Sequence, residues 1–125
     1  MLSAAERTVM IDDRLPNAGV ARVDTRKLGD YLLNPAHPDN GGKAAFFLAL
    51  GFTQSDVPTL RTALVRLAAE GTLARRIVSV HGTKFVVDGV LRSPSDSEAV
   101  VRTVWIVDTG GSTPRLVTAY PREGK

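Results

Sequence analysis

The apolar positions of this chain change period once, near Gly71. Before it they recur at helical spacing, and after it they alternate. Leu28, Tyr31 and Leu32 fall at i, i+3 and i+4, one helical stripe. Asp24 or Thr25 can cap it by accepting an orphan N–H of the first turn. Asn34-Pro35 stops this helix, because the residue before a proline is pushed out of the helical region. A second helix is predicted from Gly42 or Lys43 to Leu50, apolar on most sides and therefore largely buried, with Gly51 as its stop. A third starts at Ser55-Asp56, tolerates Pro58 in its first turn, carries Val57, Leu60, Leu64 and Leu67 on its core stripe and ends at Gly71. Strands are then predicted over 77–81, 84–91, 99–108 and 115–120, the third being richest in β-branched residues. Gly82-Thr83, the 93–97 loop and Thr109-Gly110-Gly111-Ser112 join them. Val20 to Val23 reads as a short edge strand. The order predicts an α+β fold, with three N-terminal helices packed on a four-stranded antiparallel β-meander. Residues 1–14 are expected to form a flexible N-terminal segment and 15–122 a single α+β domain.

Composition narrows the chemistry. The 125 residues contain no Cys and two His. Disulfides, Cys-zinc sites and a thiol nucleophile are excluded, and a His-only zinc site is not expected. No apolar run approaches the ~20 residues of a membrane span. The N-terminus lacks a basic-then-apolar leader, so a cytoplasmic setting with no membrane partner is expected. The net charge is +3, but its placement is uneven: residues 1–60 sum to −1 and residues 61–125 to +4. That excess suits a phosphate-binding face or a plain solvated surface equally well.

Few residues are placed for chemistry. Asn40-Gly41-Gly42-Lys43 sets two glycines and a lysine at a helix start, where backbone N–H groups and the dipole attract phosphate. The Walker spacing is absent, and the plain alternative is that the glycines only turn the chain. His37 lies six positions before Lys43 and can act as a general acid or base; it can equally be a surface histidine. His81, at a strand end, is more readily a solvated residue. Thr103 and Trp105 share one strand face, as do Thr118 and Tyr120. Together with Arg115 they can line a groove in which hydroxyls hold phosphate oxygens and a ring stacks a base, although Trp105 suits the core better. The acids show neither catalytic pairing nor metal-ligand spacing, and no nucleophile elbow is present.

Two resemblances add to this reading. Lys27 to Pro38, Gly41 to Phe47, Thr103 to Ile106 and Pro114 to Pro121 resemble motifs of a small bacterial domain family of unknown function, a likeness running from about Leu15 to Pro121. The helices-then-meander order and the closing Thr-Ala-Tyr-Pro also resemble the toxin ribonucleases of the barnase/EndoU/colicin/RelE superfamily. That second resemblance implies a metal-independent endoribonuclease without cofactor, cleaving RNA, tRNA among the candidates, by 2′-OH attack. Its partners would be RNA and a cognate antitoxin or immunity protein. It would act in the cytoplasm, or as a toxin tip delivered to a target cytoplasm. His37 would move the proton of the 2′-OH or of the leaving 5′-oxygen, and Lys43 would stabilise charge at phosphorus. Thr118 and Tyr120 would position the phosphate, with Gly42, Thr103 and Arg115 binding substrate in support. A non-catalytic interaction module is the alternative, because Val100, Val104 and Ile106 oppose Val101, Trp105 and Val107 and leave both sheet faces apolar. Nucleic-acid binding without cleavage is a third reading.

Overall fold

The computed structural model describes residues 14–34, 36 and 42–122. The expected flexible segment falls outside these residues, except for Arg14. The fold is α+β, with three helices and a four-stranded antiparallel sheet of order β1-β2-β3-β4. Helix α1 is composite: an α-helical turn, Thr25–Lys27, runs into a π turn, Leu28–Leu32. Asp24 caps it, its side chain accepting from the Arg26 N–H at 2.9 Å. The π turn closes with the Leu33 N–H donating to the Leu28 carbonyl at 2.8 Å. The extra residue lets Leu28, Leu32 and Leu33 all reach the core, which a regular 3.6-residue period does not do. Helix α2 spans Lys43–Leu50 and α3 spans Val57–Glu70. The cap ahead of α3 lies two residues earlier than Ser55. Thr53 and Asp56 form a capping box around the 3-10 turn Gln54–Asp56, which leads directly into α3.

The strands are β1 Thr72–Ser79, β2 Gly82–Arg92, β3 Glu98–Asp108 and β4 Arg115–Pro121. Strand β1 begins five residues before the predicted Ile77, and the β1–β2 turn is Val80-His81 rather than Gly82-Thr83. The reason is visible in its burial: only Leu73 of β1 is even half-buried, so this edge strand carries no inside-outside alternation to read. The predicted edge strand at Val20–Val23 shrinks to one parallel bridge, in which Arg22 exchanges backbone hydrogen bonds with Pro114 and Leu116 beside β4.

One face of the sheet meets the helices. Phe85, Val87 and Leu91 of β2, Val101 and Trp105 of β3, and Leu116 and Ala119 of β4 are buried with Leu60, Leu64 and Leu67 of α3 and Phe47 of α2. Helix α3 packs along β2 and α2 against β4. The α3–β1 junction is tight. A Cβ on Gly71 would lie 2.6 Å from the Asp88 carbonyl oxygen, so only glycine fits. The opposite, outer face is only in part the open apolar surface that the alternation suggested: Ile77, opposite Lys84, is 40% exposed, but the centre is covered. Ile106 is 9% exposed and Val86 8%. Ile106 stands in register between Lys84 and Arg115, whose long stems flank it. Val90 and Val100 remain exposed towards one end.

Candidate functional site

Helix α2 starts abruptly. Gly42 takes a left-handed φ of 88°, which strains any residue with a Cβ, and this turn makes Lys43 the first helical residue. The Lys43 side chain runs back to β4 and to the π turn of α1. Its Nζ donates to Tyr31 Oη at 2.5 Å and to Thr118 Oγ1 at 3.1 Å. The same nitrogen lies 5.0 Å from the Tyr31 ring centroid and 5.9 Å from that of Tyr120. An ammonium beside two aromatic rings is attracted by both quadrupoles. Three chain segments far apart in sequence thus converge on one cation.

The convergence borders a cleft of about 670 Å³, lined by Asp24, Arg26, Lys27, Asp30, Tyr31, Lys43, Val117 and Thr118. Lys27 donates to the Val117 carbonyl at 3.0 Å. Among the described lining residues three cations face two carboxylates, an excess of +1. A β-bulge lies here: Val104 pairs with Thr118 but Trp105 with Leu116, which leaves Val117 as the extra residue. The bulge keeps Leu116 and Ala119 both inward and sends Thr118 and Tyr120 outward.

The sequence-predicted residues divide. Lys43, Thr118 and Tyr120 come together, with Gly42 shaping the approach. His37 lies outside the described residues. Thr103 belongs to the interior instead. It is fully buried, its hydroxyl donating to the Val87 carbonyl at 2.8 Å and accepting from the Trp105 indole N–H at 2.7 Å. A hydroxyl so placed satisfies a buried tryptophan and has no surface to offer a substrate. Trp105 itself is core, at 0% exposure. Arg115 shares the outer face with Thr118 and Tyr120, but its guanidinium engages Asp108 through two bonds of 3.0 and 3.1 Å. Those bonds hold the Asp108 carboxyl below its usual range and raise Arg115. His81 occupies the β1–β2 turn.

Tyr31 was missed as a site residue because it sits on an apolar helical stripe and reads as core. Its polar tip was the available signal, since a tyrosine on such a stripe brings its hydroxyl to a boundary. A second missed group adjoins Tyr120. Its cross-strand partner Arg102 holds Asp88 through two bonds of 2.7 Å, and Arg122 reaches the same carboxylate at 2.9 Å. The Arg102 hydrogen bonds hold the Asp88 carboxyl below its ordinary range, with Arg122 adding to the effect and partial burial opposing it. Among the described residues, no group of three metal-ligating side chains gathers and no helix is long and apolar enough to cross a membrane.

The architecture is therefore an α+β domain with a cationic cleft at its β4 edge. The chain belongs to the family described as domain of unknown function (DUF6883), whose model matches residues 14–123. No curated protein matches it. Among solved structures, the fold is similar to a chain described as "Contact-dependent growth inhibition toxin - immunity protein complex from Klebsiella pneumoniae 342". The likeness has a TM-score of 0.67 at 19% identity and covers 86% of this chain and 97% of that one.

Proposed function

We propose that this protein is a metal-independent endoribonuclease of toxin type, with its active site in the cleft at Lys43. The observation that carries the reading is the convergence of the Tyr31 and Thr118 hydroxyls on the Lys43 ammonium in the wall of one open cleft, with the Tyr120 ring 5.9 Å from that ammonium. This is a set of groups suited to a phosphodiester: a fixed cation for the charge that grows at phosphorus, hydroxyls for its oxygens and a ring for an adjacent base. In the proposed step the ribose 2′-oxygen attacks phosphorus and the P–O5′ bond breaks. His37 takes the 2′-OH proton. Tyr31, whose oxygen accepts from Lys43, gives its own O–H proton to the leaving 5′-oxygen. The products are a 2′,3′-cyclic phosphate and a 5′-hydroxyl, and Lys43 does the charge stabilisation that a metal ion supplies elsewhere.

The test is incubation of the protein with total tRNA and with a labelled RNA oligonucleotide in EDTA. Cleavage with cyclic-phosphate ends is expected, and its absence when a 2′-methoxy nucleotide replaces the scissile ribose. Intact RNA at high protein concentration would sink the reading. One observation favours a second reading, a non-catalytic immunity or partner-binding module. The description of the similar structure covers both a toxin and an immunity protein, and the fold fits either role. That reading expects no cleavage and a stoichiometric complex with a protein partner.

A further inference from the structure

We infer that Arg102 and Arg122, held side by side by the single carboxylate of Asp88, form a second phosphate subsite on the outer sheet face. It would take the phosphodiester next along a polynucleotide whose scissile phosphate lies at Lys43. The inference rests on the nucleic-acid part of the reading above and extends it to residues outside the cleft.

The geometry carries it. Among the described residues, two guanidiniums meet one carboxylate, an excess of one positive charge. Asp88 is the most enclosed of the three, at 16% side-chain exposure, while Arg102 and Arg122 remain 33% and 39% exposed. Asp88 engages the Nε and Nη2 of Arg102 and the Nε of Arg122. Each guanidinium has five N–H donors; the carboxylate fixes the Arg102 fork through two of them and draws Arg122 alongside through its Nε, which leaves most donors of both available. Preorganised forks of this kind bind phosphate oxygens in a plane. Their position is continuous with the cleft: Arg102 is the cross-strand partner of Tyr120, and Thr118 is the next outward residue of β4 towards Lys43. Among the described residues, the outer-face Arg92 and Arg115 each meet a carboxylate one to one and show no such excess.

The purely structural alternative is that the three residues only staple β2, β3 and the end of β4. Binding of a fluorescent, uncleavable 2′-methoxy RNA oligonucleotide separates the two, measured by anisotropy across a salt series. Arg122→Gln is expected to weaken binding several-fold and to lower the slope of log affinity against log salt by about 0.7, the value for one phosphate contact on a single strand. Arg122→Lys should restore most of the slope, and both variants should be fully folded at the assay temperature. Affinity should also rise from a mononucleotide to a trinucleotide. A wild-type slope in Arg122→Gln, alongside weakened binding in Lys43→Met, would overturn the subsite and leave the ribonuclease reading standing. Competition by inorganic phosphate as strong as by the trinucleotide would overturn it in favour of a free-phosphate site. Failure of the wild-type protein to bind RNA even at low salt would remove the reading beneath it as well.

Discussion

Thr103-x-Trp105 on β3 and Thr118-x-Tyr120 on β4 are the same pattern, a hydroxyl and an aromatic two residues apart on adjacent antiparallel strands. Their fates are opposite. The β3 pair faces the helices and closes on itself, indole to hydroxyl to carbonyl, leaving the interior satisfied. The β4 pair faces outward and meets Lys43. The difference lies in the backbone, not in the residues. Ala119 stands opposite Thr103 and Thr118 opposite Val104, so one step of register decides which threonine faces the core and which faces Lys43. A buried polar pair must be completed inside the protein, whereas an outward pair at an edge strand can be completed by a ligand.

The sharpest way to break this comparison is to remove the β3 ring. Trp105→Ala should cost about 3–5 kcal/mol, read in urea unfolding, because it empties a fully buried volume and leaves the Thr103 hydroxyl one partner short. A cost comparable to that of a surface substitution would show that the core does not rest on this ring. On the β4 side the loss should fall on activity. Lys43→Met should slow RNA cleavage about 10²- to 10³-fold, the scale for one lost electrostatic stabiliser, with an unfolding midpoint close to wild type. Thr103→Val should cost about 2 kcal/mol of stability through the lost acceptor and donor, yet cleave at the wild-type rate per folded molecule. If it cleaved as poorly as Lys43→Met while fully folded, the division between the two pairs would be wrong. Thr118→Val, which removes one hydroxyl and keeps the shape, should cost about tenfold in kcat/KM, or about 1.4 kcal/mol. The smallest effect concerns pH. The Asp88 carboxyl titrates below its ordinary value because the Arg102 hydrogen bonds favour its charged form. Its contribution to stability is therefore fully present above about pH 4 and lost as pH falls through the lowered value. Asp88→Asn should flatten that acid limb of the stability curve, and an unchanged limb would place the acid sensitivity elsewhere.

The sequence made much of this legible. Helices α2 and α3 declared themselves through Gly51, Gly71 and the Leu60-Leu64-Leu67 stripe, and β2, β3 and β4 through alternation. Strand β1 did not, because an exposed edge strand rich in arginine has no buried face to impose a period. The candidate cluster was half legible. Lys43, Thr118 and Tyr120 were identifiable from residue type and position, but the bulge at Val117 that turns Thr118 outward leaves no mark on composition. Tyr31 was hidden by its place on the apolar stripe with Leu28 and Leu32, where it reads as core. Arg102, Asp88 and Arg122 lie on different strands or beyond the last one. Only the register brings them to one carboxylate.

The most direct test of the central claim is the cleavage rate of a labelled RNA in EDTA by the wild-type protein and by Lys43→Met, both shown to be folded. The account predicts 2′,3′-cyclic phosphate products from the wild type and at least a hundredfold slower cleavage by the variant, the order expected for losing that cation. RNA left intact by the wild type, or cut equally fast by Lys43→Met, would contradict it.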